Sequence, residues 1–191
     1  MKIATPLEMT AWIVLGICWL AWMLAFIRPR QRAAGKKKVV RAASSRIGIG
    51  LVMLAYACVW TIVFPKGFHK SQASLIASII VGPLAVVLVW LATRHLDKQW
   101  RFEAALSDDH ELITTGPYHW IRNPIYTSMF GMLLQTGLVK TWWPLLLAAI
   151  TFYIIGTEIR VRAEERLLGE RFGSTFAAYR ASTKAYIPLI R

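Results

Sequence analysis

Three apolar blocks constrain this chain more than any other feature it has. Met9–Ile27, Ile47–Phe64 and Leu75–Thr93 are each 18 or 19 residues long and nearly free of charge. A helix needs about 20 such residues to cross the roughly 30 Å hydrocarbon layer of a bilayer. The apolar residues stand in blocks rather than at the spacing of a soluble core. Hydrophobic content of 56% and a mean hydropathy of +0.45 also exclude an ordinary soluble domain. The first block could be read as a cleaved signal peptide, but only Lys2 precedes it and a small-residue cleavage site is lacking. Three spanning helices are the expectation.

The pattern then changes. Ile125–Val139 and Trp142–Thr157 are 15 and 16 residues long, parted by Lys140-Thr141. At 1.5 Å per residue, 15 residues reach only about 22 Å. Either these helices extend into their polar flanks or the pair dips in as a tight hairpin. The reading adopted is a helical hairpin whose second arm continues through Glu158–Arg171. The expected fold is therefore all-α and polytopic, with about five membrane helices, a C-terminal helical hairpin and an amphipathic cytoplasmic helix.

Charge sets the expected orientation. The chain carries a net +13, which could suggest nucleic acid, but its basic residues are spread over loops beside apolar segments. Arg28–Arg46 holds eight Lys/Arg and no acid, Arg94–Arg122 four, and the tail from Glu158 seven. The other side has Lys2, Lys66, Lys70 and Lys140. This asymmetry predicts an outside N-terminus and a cytoplasmic C-terminus. The "GKKK" run reads as a topology and anionic-lipid feature, with no nucleic-acid partner. Cys18 and Cys58 lie inside apolar helices without nearby His or acid clusters, so neither a disulfide nor a metal site is expected.

The remaining polar groups fall in two segments, "DDHELITTGPYHWIRNPIY" (108–126) and "EIRVRAEERLLGERFGSTFAAY" (158–179). Gly116, Pro117 and Pro124 oppose continuous helix in the first, and Pro124 suits the first turn of a following helix. Taken singly, the first could be an interfacial turn with Tyr118, Trp120 and Tyr126 as a headgroup belt. The second could be a surface helix, with Leu168, Phe172, Phe176 and Tyr179 on one apolar face and Glu164 paired to Arg160. Neither bland reading explains why both segments flank one undersized hairpin.

Together, "HELITTGPYHWIRNPIY" and the later "R-x-x-x-E-E-x-x-L-x-x-x-F-G-x-x-F-x-x-Y" resemble the isoprenylcysteine carboxyl methyltransferase family. These are integral membrane enzymes related more distantly to phospholipid N-methyltransferases. The resemblance covers roughly residues 95–190, and the first two helices carry no family signature. It implies methyl transfer from S-adenosylmethionine to a lipophilic carboxylate. Residues 1–94 would then be a three-helix membrane region and 95–191 the catalytic region with a cytoplasmic cofactor pocket. By the same resemblance, His110, Glu111, Leu112 and Ile113 wrap the cofactor, partly through backbone groups. Tyr118, Asn123, Pro124, Ile125, Tyr126 and Glu164 match cofactor-contacting positions, and Arg160 matches an arginine at the substrate carboxylate.

The residue types suit that chemistry. A Glu answers the cofactor's ammonium, and a carboxylate nucleophile is already ionised at neutral pH, so no general base is needed. If helical, Arg160 and Glu164 share one face a turn apart. A glycine-rich strand-to-helix fingerprint is absent, and Gly48-Ile-Gly50 within an apolar helix reads as a packing feature. Four positions depart from the family pattern: Asn123 stands for a usual His, Glu103 for a Gln, Ser128 for a Gly and Phe176 for a Tyr. The small size is similar to that of prokaryotic members, which implies a bacterial-type inner membrane and leaves the acceptor open. The rival readings are a methyltransferase for an amine headgroup, which needs a proton acceptor, and a non-catalytic polybasic scaffold.

Overall fold

Local chemistry starts the first helix. Thr5 Oγ1 accepts from the Glu8 amide while Glu8 Oε2 accepts from the Thr5 amide, a reciprocal cap with Pro6 in the first turn. This is a computed structural model, and it describes residues 5–27, 40–41, 45–61, 70–96, 105–106 and 112–186. The helices are α1 (Pro6–Leu24), α2 (Ser45–Trp60), α3 (Gln72–Leu96), the single turn α4 (Pro117–Trp120), α5 (Pro124–Lys140) and α6 (Trp143–Ser182). Two short strands, β1 (Val40–Arg41) and β2 (Ala105–Leu106), pair antiparallel.

The chain is an all-α membrane protein. α1, α3 and α6 are long and apolar enough to cross a bilayer. α2 is a shorter apolar helix of 16 residues and α5 has 17, about 24 and 26 Å in length. Ile13, Ile17, Leu20 and Leu84 point outward, an apolar exterior that suits a lipid solvent. The two arms of the hairpin pack less on each other than on earlier helices. α5 lies along α3, and α6 lies along α2.

Small residues permit these close crossings, as expected where helices meet in lipid. A Cβ on Gly131 would stand 2.7 Å from that of Ala85, and the buried Gln135 fills the space a side chain on Gly82 would need. Gly48 lies against Gly156, as the packing reading of that glycine requires, whereas Gly50 has open space around it. Trp19 and Trp22 donate through Nε1 to Thr136 and Ser128 hydroxyls at 3.0 and 2.8 Å, fastening α1 to α5.

At the end of the bundle where α5 stops, lysines serve the helix termini. Lys140 Nζ donates to the Trp60 carbonyl at 3.1 Å and stands 4.6 Å from the centre of its ring. Lys70 Nζ donates to the Gly137 and Thr141 carbonyls at 2.7 and 2.5 Å. Both answer the partial negative charge at helix C-termini.

At the opposite end, α6 continues past Thr157 well beyond the apolar stretch, as the sequence predicts. The straight amphipathic helix implied by the Leu168–Tyr179 spacing is instead bent. Gly173 takes φ +50°, ψ −121°, a left-handed conformation that glycine adopts without a Cβ penalty. The following arm folds back, so that Arg180 Nε comes within 3.5 Å of Glu165 Oε2. Phe176 is buried by this return, while Leu168 and Phe172 are only partly covered.

Candidate functional site

The approach to α5 is a sequence of backbone constraints. Gly116 has φ +60°, and a Cβ there would stand 2.4 Å from His95 Nε2, so conformation and space both require glycine. His95 is held in turn through Nδ1, 2.8 Å from the Leu91 carbonyl oxygen. Pro117 opens α4 and Tyr118 is buried beneath it. Burial, with Tyr179 and Glu164 close by, holds the Tyr118 phenol well above its usual range, so it stays a neutral group. Ile121 then pairs in parallel with Lys184, and the Arg122 and Asn123 amides donate to the Lys184 and Ala185 carbonyls at 2.7 and 3.0 Å. Pro124 begins α5, its missing N–H costing nothing there.

Tyr126, in the first turn of α5, is the centre of the site. Its hydroxyl donates to Glu164 Oε1 at 2.6 Å and accepts from Arg160 Nε at 2.8 Å. The Arg160 guanidinium stands 5.6 Å from the centre of the Tyr126 ring, and its Nη2 is 3.6 Å from Glu164 Oε1. Tyr153 donates to the Tyr126 carbonyl at 2.6 Å, fixing the turn from below. The two charged side chains differ in access: Arg160 is 8% exposed and Glu164 26%. An enclosed guanidinium, a phenol and a partly open carboxylate are therefore joined in one hydrogen-bonded set. Position along α6 is fixed by the Gly48–Gly156 crossing, because a Cβ on Gly48 would also meet Arg160 Cγ at 2.7 Å.

A second, buried ion pair supports the first. Arg122 donates through Nε and Nη2 to Glu165 Oε1 at 3.1 and 2.8 Å, with both side chains under a tenth exposed. Its Nη1 donates to the Arg180 carbonyl at 3.1 Å and also to the Thr183 carbonyl. The terminal segment is fastened further: Tyr179 donates to the Tyr118 carbonyl, Thr127 to the Tyr186 carbonyl, and Tyr186 to Glu158 Oε2 at 2.8 Å. The residues 183–186 thus run along 121–123 and close one side of the site.

The two polar segments singled out in the sequence meet at Tyr126, Arg160 and Glu164. Tyr118 belongs to the same buried neighbourhood. Asn123 does not turn its amide to the Tyr126 centre: Nδ2 donates to the Ala185 carbonyl at 3.0 Å. Pro124 is buried, Ile125 partly so, and Leu112 and Ile113 are half-buried in the stretch leading to Gly116. His110, Glu111 and Glu103 lie outside the described residues. Trp120 is 69% exposed and His119 stacks edge-on to it at 5.4 Å, an arrangement suited to a membrane interface. Arg122, His95 and the 183–186 segment were missed by sequence reasoning. Arg122 and Glu165 stood inside the quoted motifs without a role, whereas "TKAY" carries no periodicity or motif that could have found it. Among the described residues, no cluster of His, Cys, Asp or Glu could hold a metal.

A family model described as phospholipid methyltransferase matches residues 73–175. The match runs from α3 to the folded-back part of α6 and includes Tyr126, Arg160 and Glu164. No curated protein matches the chain.

Proposed function

The chain belongs to the phospholipid methyltransferase family of membrane methyltransferases, and on that premise we propose that it transfers a methyl group from S-adenosylmethionine to a lipophilic carboxylate. The single observation that carries this reading is the Tyr126–Glu164–Arg160 set, in which a carboxylate and a guanidinium share one phenol. The residues fit the cofactor in one testable respect: Glu164 spends Oε1 on Tyr126, and its Oε2 takes no hydrogen bond among the described residues. That oxygen is the acceptor for an ammonium group. The cofactor, when bound, supplies an electrophilic methyl group. The chain's own residues orient the reactants, since aligned displacement between two bound groups needs positioning above all. Arg160 holds the acceptor carboxylate, Tyr126 fixes Arg160 and Glu164 relative to each other, and Tyr118 closes the floor as a neutral phenol. In this reading the site end of the bundle faces the cytoplasm, as the positive-inside asymmetry suggests, and the acceptor reaches Arg160 from the bilayer.

One observation favours a second reading, methylation of an amine headgroup. Arg160 is enclosed and offset by Glu164, which leaves little net positive charge to repel an amine. The Arg160→Ala variant separates the two: it cripples a carboxylate methylator and leaves an amine methylator largely intact. The cofactor step is tested by calorimetric titration of the purified protein with S-adenosylmethionine or its demethylated product, and absence of binding defeats both enzymatic readings.

A further inference from the structure

We propose that the fold-back of α6 builds a second site, which binds the phosphate of an anionic lipid headgroup in the leaflet nearest to it. The bend at Gly173 leaves a cavity of about 850 Å³ between the two arms. Arg162 and Arg166 from the first arm and Arg180 from the second stand around it, and among the described residues Glu165 is the one carboxylate that lines it. Glu165 is already engaged by Arg122 at 2.8 Å and Arg180 at 3.5 Å, so the excess charge facing the cavity is positive. The floor is apolar and close: Phe176 and Ala177 line it, and a Cβ on Gly169 would lie 3.9 Å from the Phe176 ring.

Two features point to a lipid rather than a free anion. Guanidiniums beside an apolar floor match an amphiphile, whose phosphate takes the charge-assisted bonds while its glycerol region lies over the exposed Ala177. The place is also right. Arg162 lies five residues beyond Thr157, about 7.5 Å along the helix, which is headgroup depth. Arg162 and Arg166 are 71% and 82% exposed, and their one-turn pairs with Glu158 and Glu170 are of the weak, solvent-exposed kind that a phosphate can displace. This site is separate from the Tyr126 centre. Arg162 stands two residues on from Arg160, roughly 200° further round the helix.

The test uses the full chain in nanodiscs carrying photoreactive phosphatidylglycerol or, in parallel, photoreactive phosphatidylcholine. The expected result is cross-linking of the anionic probe to the 162–181 region, reduced about tenfold in the Arg162→Gln/Arg166→Gln variant, as fits the loss of two charge-assisted contacts. Should the double variant fold poorly, Arg166→Gln alone at the most exposed position gives the same comparison. Equal labelling of wild type and variant overturns the proposal, as does equal labelling of the cavity by the neutral probe. Inorganic phosphate that competes at concentrations no higher than the anionic lipid itself overturns the lipid assignment, since the apolar floor then adds nothing.

Discussion

Gly48 and Gly156 meet backbone to backbone: a Cβ on Gly48 would stand 2.7 Å from the Gly156 carbonyl oxygen, and one on Gly156 2.8 Å from that of Gly48. The crossing lies one turn before Arg160, so the packing of α2 on α6 and the placing of the guanidinium are one event. Gly48→Ala and Gly156→Ala should each cost about 1–3 kcal/mol by overpacking and lower methyl transfer. Gly50→Ala, in open space, should be neutral or slightly stabilising. Thermal unfolding in detergent measures all three, and an unaffected Gly48→Ala would refute the close crossing.

The Tyr126 hydroxyl joins the two charged residues. Tyr126→Phe keeps the ring but removes both bonds, and should lower kcat/KM about 10- to 100-fold while the protein remains folded. Glu164→Gln should instead act chiefly on cofactor affinity, by a factor of about 10 or more, read by calorimetry. A Glu164→Gln variant with unchanged cofactor affinity would remove Glu164 from the cofactor site.

Arg122 and Glu165 are both enclosed, so removing one partner takes the main counter-charge from the other, and the more exposed Arg180 at 3.5 Å is a weaker substitute for Glu165. Arg122→Met or Glu165→Gln should each destabilise by about 3–5 kcal/mol, whereas the double apolar replacement Arg122→Met/Glu165→Leu should recover part of that loss. Limited proteolysis should show the 183–186 segment released in the Arg122→Met variant, because Arg122 also holds the Arg180 and Thr183 carbonyls.

Lys70 gives the far end a pH dependence. Burial pushes its ammonium from 10.5 down to about 8. Between those values the unfolded chain binds more protons than the folded one, so this group's contribution to stability rises as pH increases from 8 to 10.5. Below pH 8 both states are charged and the burial penalty is fully present. The stability difference between wild type and Lys70→Met should therefore shift in favour of wild type across that window. A difference that stays flat in pH-dependent thermal denaturation would contradict it.

Sequence alone determined the membrane helices and the pairing of two polar motifs, because both rest on local properties. Hydrocarbon demands long apolar runs, and Pro117, Pro124 and Gly116 interrupt a helix wherever they stand. The continuation of α6 past Thr157 was legible for the same reason. Tertiary structure decided what no local pattern encodes. The stripe from Leu168 to Tyr179 has helical spacing, yet Gly173 folds it back because Arg180 finds Glu165 across the bend. Asn123 gives its Nδ2 to the Ala185 carbonyl because the 183–186 segment has to satisfy its backbone polar groups beside 121–123, a contact no local pattern shows. Arg122 and Glu165 stood in separate motifs without a role, and only the meeting of the two segments joins them as an enclosed ion pair. Partnership across long sequence separation depends on which helices pack: Gly48 reads as a packing residue in the sequence, but that it meets Gly156 is known only from the fold.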